Sequence, residues 1–176
     1  MTIRSDRQIA EARFREVFSH LGAVTAYARR RGSRDPDGIA AEAMTIAWRR
    51  LSDVPVDDPL PWLYATARNL VLAEGRRSAP SAAAGDEAEP KSIDPQPFEL
   101  DPNLDRALRS LSRFDREALL LVAWEDLTPK QAAKVLGING TAFRVRLSRA
   151  RRRLQASLEQ AAAPSPHLNH LDVEGT

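Results

Sequence analysis

The sequence predicts an all-α protein with two small helical units joined by a flexible acidic linker. Apolar residues recur at spacings of three and four in several segments, and no segment alternates in the manner of a strand. Pro, Gly and Asp stand where these segments would begin or end. The predicted units are residues 6–77 and 103–160, with the linker over 78–102 and a disordered tail over 161–176.

The first unit is predicted to contain three helices. The first helix runs from residue 6 to 31 and ends at Gly32, with three arginines placed against its C-terminal dipole. The second begins at one of the two aspartates that flank Pro36 and continues to about Leu51. Prolines and aspartates then indicate a loop, and the third helix covers about residues 61–77.

The linker and the tail lack helical periodicity. Residues 78–102 are rich in Pro, Ala and Ser and carry six acidic residues against a single base, Lys91. A segment of this composition cannot bury enough apolar surface to fold, which predicts a flexible linker. The tail starts with AAAPSP and is predicted to be disordered for the same reason.

The second unit is predicted to begin with a helix near Leu104. The next segment, REALLLVAWEDL, is so apolar that it predicts a well-buried helix, and Asp115 stands where its cap would be.

Residues 127–154 have the pattern of a helix-turn-helix. Thr128 is expected to cap a short helix, with a proline at its first position and Gln131 completing a capping box. Gly137 then supplies the turn, and Asn139 is expected to cap the second helix.

The second helix of this motif separates an apolar stripe from a basic surface. The stripe, at spacings of four, three and four, consists of Phe143, Leu147, Ala150 and Leu154. Residues 140–154 also contain six arginines and no acid. Such a surface can be simply solvated, but its place after a capped helix favours a recognition helix in the DNA major groove.

Side chains that project away from the stripe are predicted to contact duplex DNA. The predicted base readers are Thr141, Arg144, Val145 and Ser148, with Val145 suited to a thymine methyl group. The predicted phosphate contacts are Arg146, Arg149 and Arg152, joined by Thr128 and Lys130 from the first helix of the motif.

Composition narrows the class of protein further. The 176 residues carry a formal net charge of only +2, so the local distribution of charge is more informative than its sum. There is no cysteine, which excludes disulfides and thiolate metal sites and fits a reducing compartment. Because no apolar run approaches the roughly 18 residues of a membrane span, and no signal-peptide core is present, we expect a cytoplasmic protein.

An enzyme is not expected, and no catalytic residue, metal site or cofactor is predicted. His167 and His170 have ligand-like spacing, but no cysteine or carboxylate cluster accompanies them. The sequence contains no P-loop, nucleophile elbow or dinucleotide-binding glycine motif.

Over about residues 10–158 the chain resembles a bacterial sigma factor of the extracytoplasmic-function group. In the C-terminal half, LDRALRSLSRFDREALLLVAWEDLTPKQAAKVLGINGTAFRVRLSRARRRL is similar to region four of that family. In the N-terminal half, PWLYATARNLVLAEGRR is similar to the WL…ARN…RR signature of region two. The two halves stand in the order that the family has.

The resemblance implies a subunit that directs core RNA polymerase to promoters and is controlled by an anti-sigma factor. Region two would dock on core polymerase and capture the melted −10 element, and region four would read the duplex −35 element. The expected −10 contacts are Trp62, Asn69, Arg76 and Arg77. The expected core polymerase contacts are Glu42, Arg49 and Arg50.

Two departures leave alternatives open. Residues 38–41 read GIAA where the family has a pattern like DLVQ, which reduces polar contacts to polymerase, and 141–146 read TAFRVR in place of GTVKSR. One alternative is a two-domain helix-turn-helix regulator that binds a palindromic operator without polymerase. The other is a sigma-like adaptor that binds polymerase and lacks initiation activity.

Overall fold

The computed structural model describes the backbone of residues 2–78 and 101–162. Over these two ranges it contains eight α-helices and no strand, which confirms the predicted all-α class. The helices are α1 (Thr2–Phe18), α2 (Leu21–Arg30), α3 (Pro36–Arg49), α4 (Leu60–Ser78), α5 (Pro102–Arg109), α6 (Arg113–Ala123), α7 (Pro129–Leu136) and α8 (Gly140–Ala162). We call α1–α4 the N-terminal half and α5–α8 the C-terminal half.

The limits of the predicted linker, Ser78 and Pro102, belong to α4 and α5. The interior of that linker, residues 79–100, and the predicted tail beyond residue 162 lie outside the described residues.

The prediction of one helix over residues 6–31 is wrong. The helix stops at Phe18 and resumes at Leu21, with a turn at Ser19 and His20. The Ser19 hydroxyl donates a hydrogen bond to the Glu16 carbonyl at 2.6 Å, a local bond that competes with helix continuation. Because apolar residues on both sides of the turn enter the core, the periodicity alone did not reveal the break.

The core of the N-terminal half lies where α2, α3 and α4 pack together. Val24 and Leu63 are fully buried there, and the rings of Tyr27 and Tyr64 stack with centroids 4.7 Å apart. Asp35 caps α3 by accepting a hydrogen bond from the Gly38 amide at 2.9 Å. It is one of the two aspartates at which the sequence predicted that this helix would begin.

In the C-terminal half, the predicted cap of α6 is wrong. Ser112 is the N-cap, and its hydroxyl accepts from the Asp115 amide at 3.2 Å. Asp115 lies inside the first turn and forms an ion pair with Arg153 of α8. The helix also ends at Ala123 rather than continuing to Leu127.

The helix-turn-helix forms as predicted. Thr128 and Gln131 complete the capping box of α7, and Gly137 adopts a left-handed conformation with φ of 67°. Asn139 caps α8 by accepting from the Ala142 amide at 2.7 Å. In the apolar stripe of α8, Phe143, Leu147 and Ala150 are buried and Leu154 is partly buried. Phe143 is fully enclosed where α8 packs on α6 and α7.

The two halves pack against each other through α4 and α7, and their buried apolar residues form one continuous cluster. The side-chain amide of Gln131 donates to the Asp58 carboxylate at 3.0 Å across this contact. Among the helices described, none combines the length and the apolar character that a membrane crossing requires.

Candidate nucleic-acid interface

The outer surface of α8 is an exposed cationic face. Every predicted base reader on this helix is exposed: Thr141, Arg144, Val145 and Ser148. Arg149 and Arg152 are exposed as well, and within the described residues neither they nor Arg144 has an acidic partner. Because these charges are not neutralised by the protein, they are available to phosphate oxygens or base edges.

A second surface of α8 faces a groove that separates it from the start of α6. From α8 the groove is lined by Ala142, Arg146, Arg149 and Arg153, which follow one another at spacings of four, three and four. Two of the predicted base readers, Thr141 and Val145, line it as well. Ser112, Phe114 and Asp115 line it from α6. Arg146 is partly buried here, and its guanidinium carbon lies 5.1 Å from the centroid of the Phe114 ring.

Thr128 and Lys130 are exposed at the start of α7. The Thr128 hydroxyl is already engaged, because it donates to the Gln131 side-chain oxygen at 2.6 Å and accepts from the Gln131 amide at 3.3 Å. This residue therefore has a capping role in the structure irrespective of any DNA contact.

The predicted −10 residues lie on α4, where a spacing of seven residues brings three of them onto one side of the helix: Trp62, Asn69 and Arg76. Asn69 and Arg76 are exposed, as is the adjacent Arg77, whereas Trp62 is partly buried against the core. The stripe is about 21 Å long at 1.5 Å per residue. It combines an aromatic ring, an amide and a cation in sequence along one surface.

The predicted core polymerase contacts, Glu42, Arg49 and Arg50, are exposed at or just after α3. Arg50 forms an ion pair with Asp53 at 2.7 Å, so its charge is partly neutralised. Beside them Trp48 is 45% exposed, and its ring meets that of Phe14 edge-on at 5.0 Å.

The structure shows what the GIAA departure changes locally. Ile39 and Ala40 are buried, and Gly38 lies directly under the carboxylate that caps α3. A β-carbon at Gly38 would come within 2.0 Å of the present position of an Asp35 carboxylate oxygen. Only Ala41 of these four residues is exposed, so the departure removes little from the outer surface of α3 beyond that position.

Sequence reasoning missed the charged contacts that join the two halves. Arg30 donates to Glu125 at 3.0 Å through Nε, and Arg68 donates to Glu117 at 2.6 and 3.0 Å through Nε and Nη2. Both carboxylates are at least nine-tenths buried. Burial by itself would lower the pKa of Arg68, but the hydrogen bond and charge of Glu117 outweigh burial and raise that pKa.

Comparison with known proteins gives a family match for the C-terminal half and a curated relative for a larger part of the chain. The family model described as Sigma-70, region 4 matches residues 102–154. A probable RNA polymerase sigma factor, RfaY of Xanthomonas campestris pv. campestris, is 35% identical over 136 residues, which are 70% of this chain and 34% of that protein. The chain thus spans about a third of the length of the curated relative it matches.

Solved structures resemble the fold of both halves together. CnrH, in its complex with the cytosolic domain of CnrY, is similar with a TM-score of 0.58 and 25% identity, over 85% of this chain and 89% of that chain. The sigma factor RpoE of Bartonella quintana, in complex with the anti-sigma factor NepR, has a TM-score of 0.55 and 24% identity, over 82% and 95% of the two chains.

The resemblance seen in the sequence is therefore confirmed. The family match covers the helix-turn-helix and the helices that support it, and the matched structures extend over the N-terminal half as well. Residues 102–154 match the Sigma-70, region 4 family, and over 70% of its length the chain is similar to a probable bacterial RNA polymerase sigma factor.

Proposed function

We propose that this protein is a promoter-specificity subunit that brings core RNA polymerase to particular promoters in the cytoplasm and assists transcription initiation. The observation that carries the proposal is the exposed, acid-free arginine face of α8 within a matched Sigma-70 region 4. The protein would act by binding and positioning DNA, with no catalytic group or cofactor of its own.

In this proposal the C-terminal half reads the duplex −35 element. A helix of the diameter of α8 fits the major groove, where Arg144 is suited to guanine and Val145 to a thymine methyl group. Arg149 and Arg152 would contact phosphates on either side. Each phosphate contact adds about 0.9 to the slope of log affinity against log salt.

The N-terminal half would capture the melted −10 element along α4. Unstacked bases need apolar or aromatic surface beside hydrogen-bonding groups and cations. The stripe formed by Trp62, Asn69 and Arg76 offers these groups over about the length of four to six nucleotides, at roughly 3.4 to 5 Å each. Arg77 would contribute a further phosphate contact at the end of the helix.

Core polymerase would dock on the outer surface of α3. Glu42 and Arg49 are exposed there, and the half-exposed ring of Trp48 supplies apolar surface between polar groups. Interfaces commonly combine an aromatic residue with arginine in this way.

The proposal requires the two halves to separate on the promoter. Elements named for positions −35 and −10 lie about 25 base pairs apart, which is about 85 Å of B-form DNA. A duplex this short cannot bend back to bring the two elements together, because the persistence length of DNA is about 150 base pairs. With α7 packed on α4 and α8 on α7, the axes of α4 and α8 are only about 20 Å apart. Even the full length of α8, about 35 Å, does not make up the difference.

The chain between the halves is long enough for this separation. Between Ser78 and Pro102 the sequence has 23 residues. A fully extended segment of that length reaches roughly 80 Å.

We also propose an anti-sigma factor as a regulatory partner. The matched RpoE structure is a complex with the anti-sigma factor NepR, and the CnrH structure is a complex with the cytosolic domain of CnrY. Both partners bind chains that share the present fold over more than four-fifths of its length.

Run-off transcription tests the proposal. Purified protein and core polymerase from the source bacterium are incubated with a library of genomic fragments, and binding to core and to duplex DNA is measured in parallel. Discrete transcripts that require the protein are expected. Binding to core without any transcript would favour the sigma-like adaptor, and tight duplex binding without core would favour the helix-turn-helix regulator.

A further inference from the structure

Phe114 is exposed beside α8, the helix proposed to face DNA, and its side chain contributes little to the hydrophobic core. It is the second residue of α6, and 51% of its surface remains accessible. Its ring lies against the guanidinium of Arg146, whose central carbon is 5.1 Å from the ring centroid. Within the described residues Arg146 has no acidic partner, so the aromatic face is its defined contact.

The backbone that carries Phe114 is held firmly against α8. Ser112, two residues before it, caps the helix start, and Asp115, the next residue, forms the ion pair with Arg153. The Asp115 side chain is only 9% exposed in this pair. Because residues on both sides of Phe114 are anchored, the backbone that carries the ring is held in place before any ligand arrives.

The position of the pair gives it a consequence for DNA binding. Arg146 lies between Ala142 and Arg149 on the groove-facing stripe of α8, and the exposed Thr141 and Val145 line the same groove. A free arginine side chain loses rotamer freedom when it binds a phosphate or a base, whereas one already held on a ring loses less. When DNA excludes water from the groove, the cation–π attraction also becomes stronger.

We propose that Phe114 is a positioning residue for promoter recognition: it holds the Arg146 guanidinium in the groove so that Arg146 meets the DNA strand that passes between α6 and α8. This inference rests on the proposed function, and it assigns to α6 a part in DNA binding that its buried helical pattern does not predict.

The test compares four variants of the full-length protein, each assembled with core RNA polymerase, on one duplex that is enriched from a random-sequence pool by the unmodified protein bound to core. Phe114→Leu keeps an apolar side chain and removes the aromatic face, and Phe114→Trp keeps an aromatic face. Arg146→Ala removes the cation, and the fourth variant combines Phe114→Leu with Arg146→Ala. Phe18→Leu is the matched control, because Phe18 is a 47% exposed phenylalanine of the N-terminal half.

Phe114→Leu is expected to weaken duplex binding roughly 5- to 30-fold, the range that a partly to fully desolvated cation–π contact covers. It should also lower the salt slope by up to about 0.9, as loss of one phosphate contact does. Phe114→Trp should bind as the unmodified protein does, and Phe18→Leu should have no effect. In the Arg146→Ala background, Phe114→Leu should cause no further loss.

Equal binding by Phe114→Leu and the unmodified protein would overturn the inference while leaving the proposed function intact. An equal loss from Phe114→Leu with and without Arg146 would also overturn it, because the ring would then act independently of the cation. If the unmodified protein bound to core enriched no duplex sequence, the proposed −35 reading would fail and this inference with it.

Discussion

Arg144 and Arg152 carry the same charge on the same helix but are expected to contribute differently to binding. Both are exposed and have no acidic partner among the described residues. Arg144 lies near the start of α8, where a recognition helix contacts base edges, and Arg152 lies two turns farther along. Position on the helix therefore separates a base reader from a phosphate contact.

Replacing each arginine by alanine should reveal this difference. Arg144→Ala should reduce discrimination between the preferred duplex and single-base variants by about 1–3 kcal/mol, because a bidentate base contact is lost. Arg152→Ala should weaken all duplexes about equally and lower the salt slope by about 0.9. Fluorescence anisotropy of a labelled duplex, titrated with each variant bound to core polymerase at several salt concentrations, measures both. Identical behaviour of the two variants would contradict the assignment.

At the residue scale, the sequence predicted exposed positions better than tertiary partners. The helical spacing of residues in α8 correctly separated Phe143 and Leu147 from the arginines, since helical periodicity determines which side is buried. It did not predict that Arg30 would pair with Glu125 or Arg68 with Glu117. These partners are 95 and 49 residues apart, and no local pattern encodes such a pairing.

At the scale of elements, helix ends were predicted well where a side chain caps its own helix. Thr128 and Asn139 stand at the start of α7 and α8, as their local hydrogen-bonding chemistry requires. The break at Ser19 and the shift of the α6 cap to Ser112 were missed. At the break, a local hydrogen bond of the Ser19 hydroxyl competes with helix continuation. At α6, Ser112 and Asp115 are both chemically suited to cap the helix, and Asp115 instead forms the ion pair with Arg153.

The capping box of α7 provides a stability prediction. Thr128→Ala should lower the free energy of unfolding by about 1 kcal/mol, because the Gln131 amide loses its acceptor. Thr128→Ser keeps the hydroxyl and should stay within a few tenths of a kcal/mol of the unmodified protein. Urea unfolding at equilibrium measures both. Equal stability of the alanine and unmodified proteins would show that the capping box contributes nothing.

At the scale of the whole molecule, the contact between the halves combines packed apolar residues with buried ion pairs. The Arg30–Glu125 and Arg68–Glu117 pairs are buried, so removing one partner is costly, but both partners regain hydration if the halves separate. In the structure α4 packs on α7, whereas on a promoter the two halves would have to span about 85 Å. Both can hold only if this contact opens.

A reversible cross-link tests whether opening is required. The protein has no cysteine, so Asp58→Cys with Gln131→Cys can be joined selectively by a short, reducible bis-thiol linker across the α4–α7 contact. The linked protein should lose promoter-dependent transcription, and reduction should restore it. The unlinked double variant is the control. Full activity of the linked protein would show that the halves need not separate.

The most direct measurement of the central claim, that each half reads one promoter element, is run-off transcription with core polymerase on matched promoters. One promoter is intact, one has a substituted −35 element and one has a substituted −10 element. Arg144→Ala should lose most of its sensitivity to the −35 substitution and keep its sensitivity to the −10 substitution. Asn69→Ala should show the opposite pattern. Absence of protein-dependent transcripts, or equal effects of both variants on both elements, would contradict the account.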